Sequence, residues 1–152
     1  MPLKVHPLFV YGTLRDPDIL LALLGRALNA DAMLLAHAPG FVAVNYPGRV
    51  YPALVRYPGG AAEGLMLTDL TPFERDLLDA FEGNEYRRDF VAVVIGEELH
   101  EAEAYLPTAM VKPGAPTWEL SRWQAEHKER TLSSERQSAS DLRLKLLAIR
   151  PI

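Results

Sequence analysis

Carboxylates, tyrosines, a threonine and backbone amides are the groups with which this sequence could do chemistry, and elimination leads to them. It has no cysteine, which removes disulfides, thiolate metal sites, iron–sulfur clusters and cysteine nucleophiles together. Serine does not occur before Ser121, so the Gly-x-Ser-x-Gly elbow of a serine hydrolase is missing. His6, His37, His100 and His127 share no metal-ligand spacing with one another or with carboxylates, and no metal site is expected. Gly59, Gly60 and Gly64 lack the spacing and flanks of a phosphate-cradling or dinucleotide-binding loop. Two places remain. Tyr11-Gly12-Thr13 is a glycine-containing turn whose N–H groups could face a carboxylate or a developing oxyanion. Asp79, Glu82 and Glu85 are acids at the end of an apolar segment, and any of them could carry a proton. The negative end of a helix dipole and apolar neighbours both raise the pKa of a carboxyl there. Helical spacing puts Asp79 one turn before Glu82, where it could raise that pKa further.

The elements that must position these groups are legible in outline. Leu8-Phe9-Val10-Tyr11 reads as a strand entering the Gly12-Thr13 turn. Asp16-Pro17 reads as an N-cap with proline at the first helical position, and Ile19, Leu20, Leu23 and Leu24 follow at helical spacing up to Gly25. Apolar runs at 33–36, 41–44, 53–55 and 64–67 alternate with Pro39-Gly40, Pro47-Gly48 and Pro58-Gly59-Gly60, which predicts short strands in a meander or small barrel. Thr71-Pro72-Phe73-Glu74 is a capping box that opens a helix ending near Gly83, with Phe73, Leu77, Leu78 and Phe81 on its apolar face. A strand over 86–95, a turn at Gly96-Glu97 and a return strand to Tyr105 follow. A helix is expected over 118–132, capped by Thr117, with Trp118 and Trp123 in the core. Residues 132–152 read as a C-terminal helical tail, either docked or ordered within a dimer. This order predicts an α+β fold, a small mixed β-barrel or sheet with flanking helices, in one domain over 1–152 with its core at 8–131.

The 152 residues, about half apolar, suffice for one hydrophobic core. Sixteen basic against 20 acidic residues leave a net charge of −4 and no basic patch, so no nucleic-acid partner is expected. Lys4, His6 and early prolines interrupt any leader-like start, and no apolar stretch is long enough to span a bilayer. These features suggest a cytoplasmic protein without a membrane partner, monomeric or homodimeric.

Two segments together name a family. Phe9-Val10-Tyr11-Gly12-Thr13-Leu14-Arg15 and Leu78-Asp79-Ala80-Phe81-Glu82-Gly83-Asn84-Glu85-Tyr86-Arg87-Arg88, with Tyr51-Pro52-Ala53-Leu54-Val55 and Glu63-Gly64 between them, resemble the gamma-glutamylcyclotransferase family, in its γ-glutamylamine-cyclotransferase-like branch. The resemblance runs from about Leu8 to Tyr105 and more weakly into the following helix. It implies a compact mixed barrel and an enzyme that releases 5-oxoproline from a small γ-glutamyl amine or peptide, without a cofactor. It also implies that Glu82 is the general acid and base. Tyr11, Gly12, Thr13 and Leu14 would cradle the γ-glutamyl head, with Tyr86 as a further substrate contact. Without the resemblance, Tyr11–Thr13 could be an ordinary strand-ending turn, Glu82 a solvated helix-end residue, and Tyr86 and Tyr105 packing residues. Arg87 and Arg88 read best as strand-edge ion pairs. The competing functional class is a non-catalytic protein of the same fold that binds a small carboxylate or a partner.

Overall fold

The computed structural model describes residues 6–149; the start of the chain, Lys4 included, and residues 150–152 lie outside them. Strand β1 (Leu8–Val10) is buried on both faces, because alternate residues enter different cores. Leu8 and Val10 join a cluster under the helices, whereas Phe9 and Tyr11 join one inside the barrel. A short 3₁₀ turn over Thr13–Arg15 leads into α1 (Pro17–Leu24), capped by the Asp16 carboxylate and ended by Gly25 in the left-handed region at φ 76°.

The expected meander of short strands is instead one long bent hairpin, β2 (Met33–Asn45) and β3 (Pro52–Leu67). Pro39-Gly40 and Pro58-Gly59-Gly60 do not end strands. They lie opposite one another where the register slips from Pro39↔Ala61 to Phe41↔Arg56, and pairing resumes on both sides. Such an irregularity bends a ribbon without breaking it, which suits a sheet that must close. Of the three turn signals, Pro47-Gly48 alone sits in a true connection, the loop over 46–51.

Helix α2 (Pro72–Glu82) opens with the expected capping box, Thr71 and Glu74 each accepting the other's backbone N–H, and ends at Gly83. The hairpin of β4 (Tyr86–Ile95) and β5 (Glu98–Pro107) follows as expected. The strands close in the order β1-β3-β2-β4-β5, with β1 and β5 the parallel pair. Ala36, Ala38, Ala62, Ala102 and Ala104 surround Phe9 and Met66 inside, small residues that suit a narrow barrel. A side chain at Gly64 would press into the Val10 carbonyl and the Phe9 ring, so this crossing needs glycine.

The C-terminal helix differs most from expectation. Thr117 is no cap: it bridges Val44, and the Trp118 N–H donates to the Ala43 carbonyl at 3.1 Å, which holds this segment extended along β2. Helix α3 (Leu120–Glu126) therefore begins after Trp118, breaks at His127, and gives way to α4 (Lys128–Ile149). Trp118 and Trp123 are both buried, as expected. The tail is a docked helix. Ala139 is buried in the helix-side core, and the Arg143 guanidinium donates to the carbonyls of Ala22 and Leu23 at the end of α1, at 2.6 and 2.9 Å. No described helix is long and apolar enough to cross a membrane.

Candidate active site

A cavity of about 450 Å³ lies between β1's exit turn, the end of α2, the 46–51 loop and the α3–α4 arm. The 3₁₀ turn positions the first wall. Its own hydrogen bonds use the N–H groups of Arg15 and Asp16, so those of Gly12, Thr13 and Leu14 have no backbone acceptor among the described residues. Asp16 fixes the turn. Fully buried, it accepts from the Asp18 and Ile19 amides, from Gln124 at 2.9 Å and from Lys128 at 2.9 Å. Burial alone would raise its pKa, but the bonds from Gln124, Lys128 and the two amides bring it below the ordinary value. Gly12 packs against the Pro52 ring, where a Cβ would approach to 2.8 Å.

Glu82 is the last residue of α2, and its carboxyl has no hydrogen bond or ion pair among the described residues. Burial in the cavity wall, followed by the charges of Asp79, Glu135 and Glu85, pushes its pKa up to about 8. The two competing acids are occupied. Asp79 is gripped by Arg88 at 2.7 and 2.8 Å and accepts from the Tyr105 hydroxyl at 2.7 Å. Glu85 is held below the ordinary carboxylate range by the Tyr51 hydroxyl at 2.5 Å and by Arg49 at 3.2 Å. Arg88 also reaches Glu103 at 2.9 Å and Arg87 pairs with Asp89 at 2.7 Å, so both arginines are strand-borne ion-pair residues, as read from sequence.

The tyrosines form a fixed polar lining. The Tyr11 hydroxyl donates to the Tyr105 carbonyl, and that of Tyr86 to the Pro52 carbonyl at 2.6 Å. Burial first, then nearby acids or tyrosines, raises the pKa of both, so each stays neutral and offers only oxygen lone pairs to the cavity.

Every residue singled out for the site, Tyr11, Gly12, Thr13, Leu14, Glu82 and Tyr86, lines this one cavity. Sequence reading missed the opposite wall: Trp123 from α3, and Arg130, Thr131, Ser134 and Glu135 from α4. The one signal for the last four is their i, i+1, i+4, i+5 spacing, which places them on one face of a helix. No group of described residues could hold a metal ion.

Fold and cavity together define a small closed-barrel protein with a cavity between the barrel and its C-terminal helices. Residues 8–125 match the family model described as gamma-glutamyl cyclotransferase, AIG2-like, and the chain belongs to that family. It is 32% identical to AIG2-like protein A of Arabidopsis thaliana, over 87% of this chain and 80% of that protein. The solution structure of an Arabidopsis thaliana protein superposes with a TM-score of 0.66 at 32% identity, covering 87% of this chain and 89% of that one. A structure titled gamma-glutamyl cyclotransferase shares the fold, with a TM-score of 0.57 at 18% identity over 97% of this chain and 89% of that one.

Proposed function

We propose that the protein is a cyclotransferase that releases 5-oxoproline from a γ-glutamyl amine or peptide, with Glu82 as acid and base. The observation that carries this reading is a carboxyl and a turn with three N–H groups, all without partners among the described residues, on one cavity. The substrate's α-amine attacks its own γ-carbonyl carbon. A C–N bond closes a five-membered lactam, and the bond to the departing amine breaks. Glu82 takes a proton from the attacking nitrogen and returns it to the leaving nitrogen, so no enzymic nucleophile or cofactor is called for. Holding amine and carbonyl in contact supplies the large proximity contribution.

The free amides of Gly12–Leu14 suit the substrate's α-carboxylate or the developing oxyanion. The lone pairs of Tyr11 and Tyr86 suit its ammonium. A carboxyl with a pKa near 8 can be both acceptor and donor close to neutral pH. The test is incubation with a panel of γ-glutamyl compounds while 5-oxoproline is followed. Release from none of them replaces this reading with a pocket that binds without reaction.

A further inference from the structure

The family model ends at residue 125, three residues before α4 begins, and the wall formed by Arg130, Thr131, Ser134 and Glu135 lies beyond it, on the C-terminal arm. Its charges differ from those of the barrel wall. Glu82 is committed to proton transfer, and Glu85 to Arg49 and Tyr51. Glu135 is half-buried on the cavity, with neither ion pair nor hydrogen bond among the described residues. A carboxylate held this way is completed by a cation from the ligand.

We propose that Glu135 is the specificity-determining residue of this pocket: its carboxylate receives an ammonium group on the departing amine, which favours γ-glutamyl amides of diamines. The inference rests on the cyclotransferase reading of the same cavity. The γ-glutamyl head brings one positive and one negative charge, which the tyrosine oxygens and the turn amides can meet. A second ammonium is then the charge that Glu135 lacks. Burial pushes the Glu135 carboxyl above its ordinary pKa, a penalty that a cation in contact offsets. A carboxylate on the leaving portion would meet Glu82, Glu85 and Glu135. Among the described residues, Arg130 is the one cationic side chain on the cavity, and it stands exposed at the rim, beside Glu126 and Glu129 on the adjoining hollow.

The test compares kcat/KM for the γ-glutamyl amides of diaminobutane and butylamine in the wild type, Glu135→Gln and Glu135→Asp. The wild type should favour the diamine amide by about 10- to 100-fold, the size of a hydrogen bond to a charged group. Glu135→Gln should bring the ratio close to one, and Glu135→Asp should keep part of it. An unchanged ratio in folded Glu135→Gln, or no preference in the wild type, overturns the proposal. Calorimetric titration with free diaminobutane and free butylamine separates this from the fate of the reaction. Tighter binding of the diamine, lost in Glu135→Gln, supports the role of Glu135 even if no amide is turned over. Equal or absent binding of both amines refutes it.

Discussion

At the barrel wall of the cavity, nearly every polar group is already spoken for, whereas the four polar α4 side chains facing it make no hydrogen bonds among the described residues. On the barrel side, main-chain carbonyls fix Tyr11 and Tyr86, Arg88 and Tyr105 fix Asp79, and four donors fix Asp16. Glu82 and the N–H groups of Gly12, Thr13 and Leu14 are the exceptions, left without partners among the described residues. The difference follows from what each wall must do. The proposed cyclisation needs atoms held to fractions of an ångström, which a wall of backbone and locked rings suits. Recognition of a departing group can be left to side chains that the ligand itself completes. The predictions below break or sharpen this contrast, in order of their expected effect on turnover.

Glu82→Gln should have the largest effect. It keeps the shape of the side chain but cannot move a proton, so kcat should fall by roughly 10²–10⁴-fold while substrate still binds. Near wild-type release of 5-oxoproline by the folded variant would defeat the mechanism. Stability provides an independent check with a definite sign. A carboxyl whose folded pKa is about 8, against an ordinary 4.5, makes the fold less stable as pH rises through that window, because the native state holds the proton longer. The glutamine variant should therefore match the wild type below about pH 4.5 and exceed it above about pH 8, measured by denaturant melts. An activity site that costs stability is expected where function requires a desolvated acid.

Gly12→Val comes next. Its Cβ would meet the Pro52 ring at 2.8 Å, and Pro52 supplies the carbonyl that orients Tyr86. KM should rise about tenfold or more, equivalent to about 1.4 kcal/mol, with the fold retained. Unchanged KM in well-folded protein would remove the turn from the binding site.

The barrel wall was readable in the sequence because short-range signals built it. Asp16-Pro17, the Thr71–Glu74 box and Gly83 each act within one turn of chain, and they place the Gly12 turn and Glu82. What sequence could not show was which acid would be left unpaired. Asp79 is silenced by Arg88 from β4 and Tyr105 from β5, partners set by strand register. The long hairpin was misread because proline–glycine pairs mark bulges and turns alike, and only the pairing partner decides. The α4 wall escaped notice for a similar reason. Thr117 and Trp118 bind the edge of β2, which delays the helix, and the break at His127 sets α4's direction.

Asp79→Asn should lower turnover by less than about tenfold, because Asp79 acts through its charge and not through its proton. That charge is one of those holding the Glu82 pKa up, so neutralising it should move the Glu82 inflection in the pH–rate profile from near 8 to lower pH. A loss as large as that of Glu82→Gln, in folded protein, would mean that the proton-transfer role belongs to Asp79.

The smallest effect on turnover is expected from Arg143→Ala, which probes how firmly the α4 wall is held. Arg143 is not one of the residues that line the cavity. Its guanidinium donates to the Ala22 and Leu23 carbonyls, which α1 leaves unsatisfied at its C-terminal end, where a cation is also favoured by the helix dipole. Losing both bonds should cost about 1–2 kcal/mol of stability. That corresponds to a fall of roughly 2–8 °C in Tm for a domain of this size. Leu142, Leu146 and Ala139 still pack on the helix-side core, so α4 should remain docked on average. The kcat for a γ-glutamyl amide with a small neutral leaving group should stay within about twofold, since its reaction depends on the barrel wall. Discrimination between leaving groups should weaken instead, because it depends on where α4 holds its side chains. A large loss of kcat in a variant that still melts cooperatively would show that the two walls act as one. The division between a fixed chemical wall and an adaptable recognition wall would then be wrong.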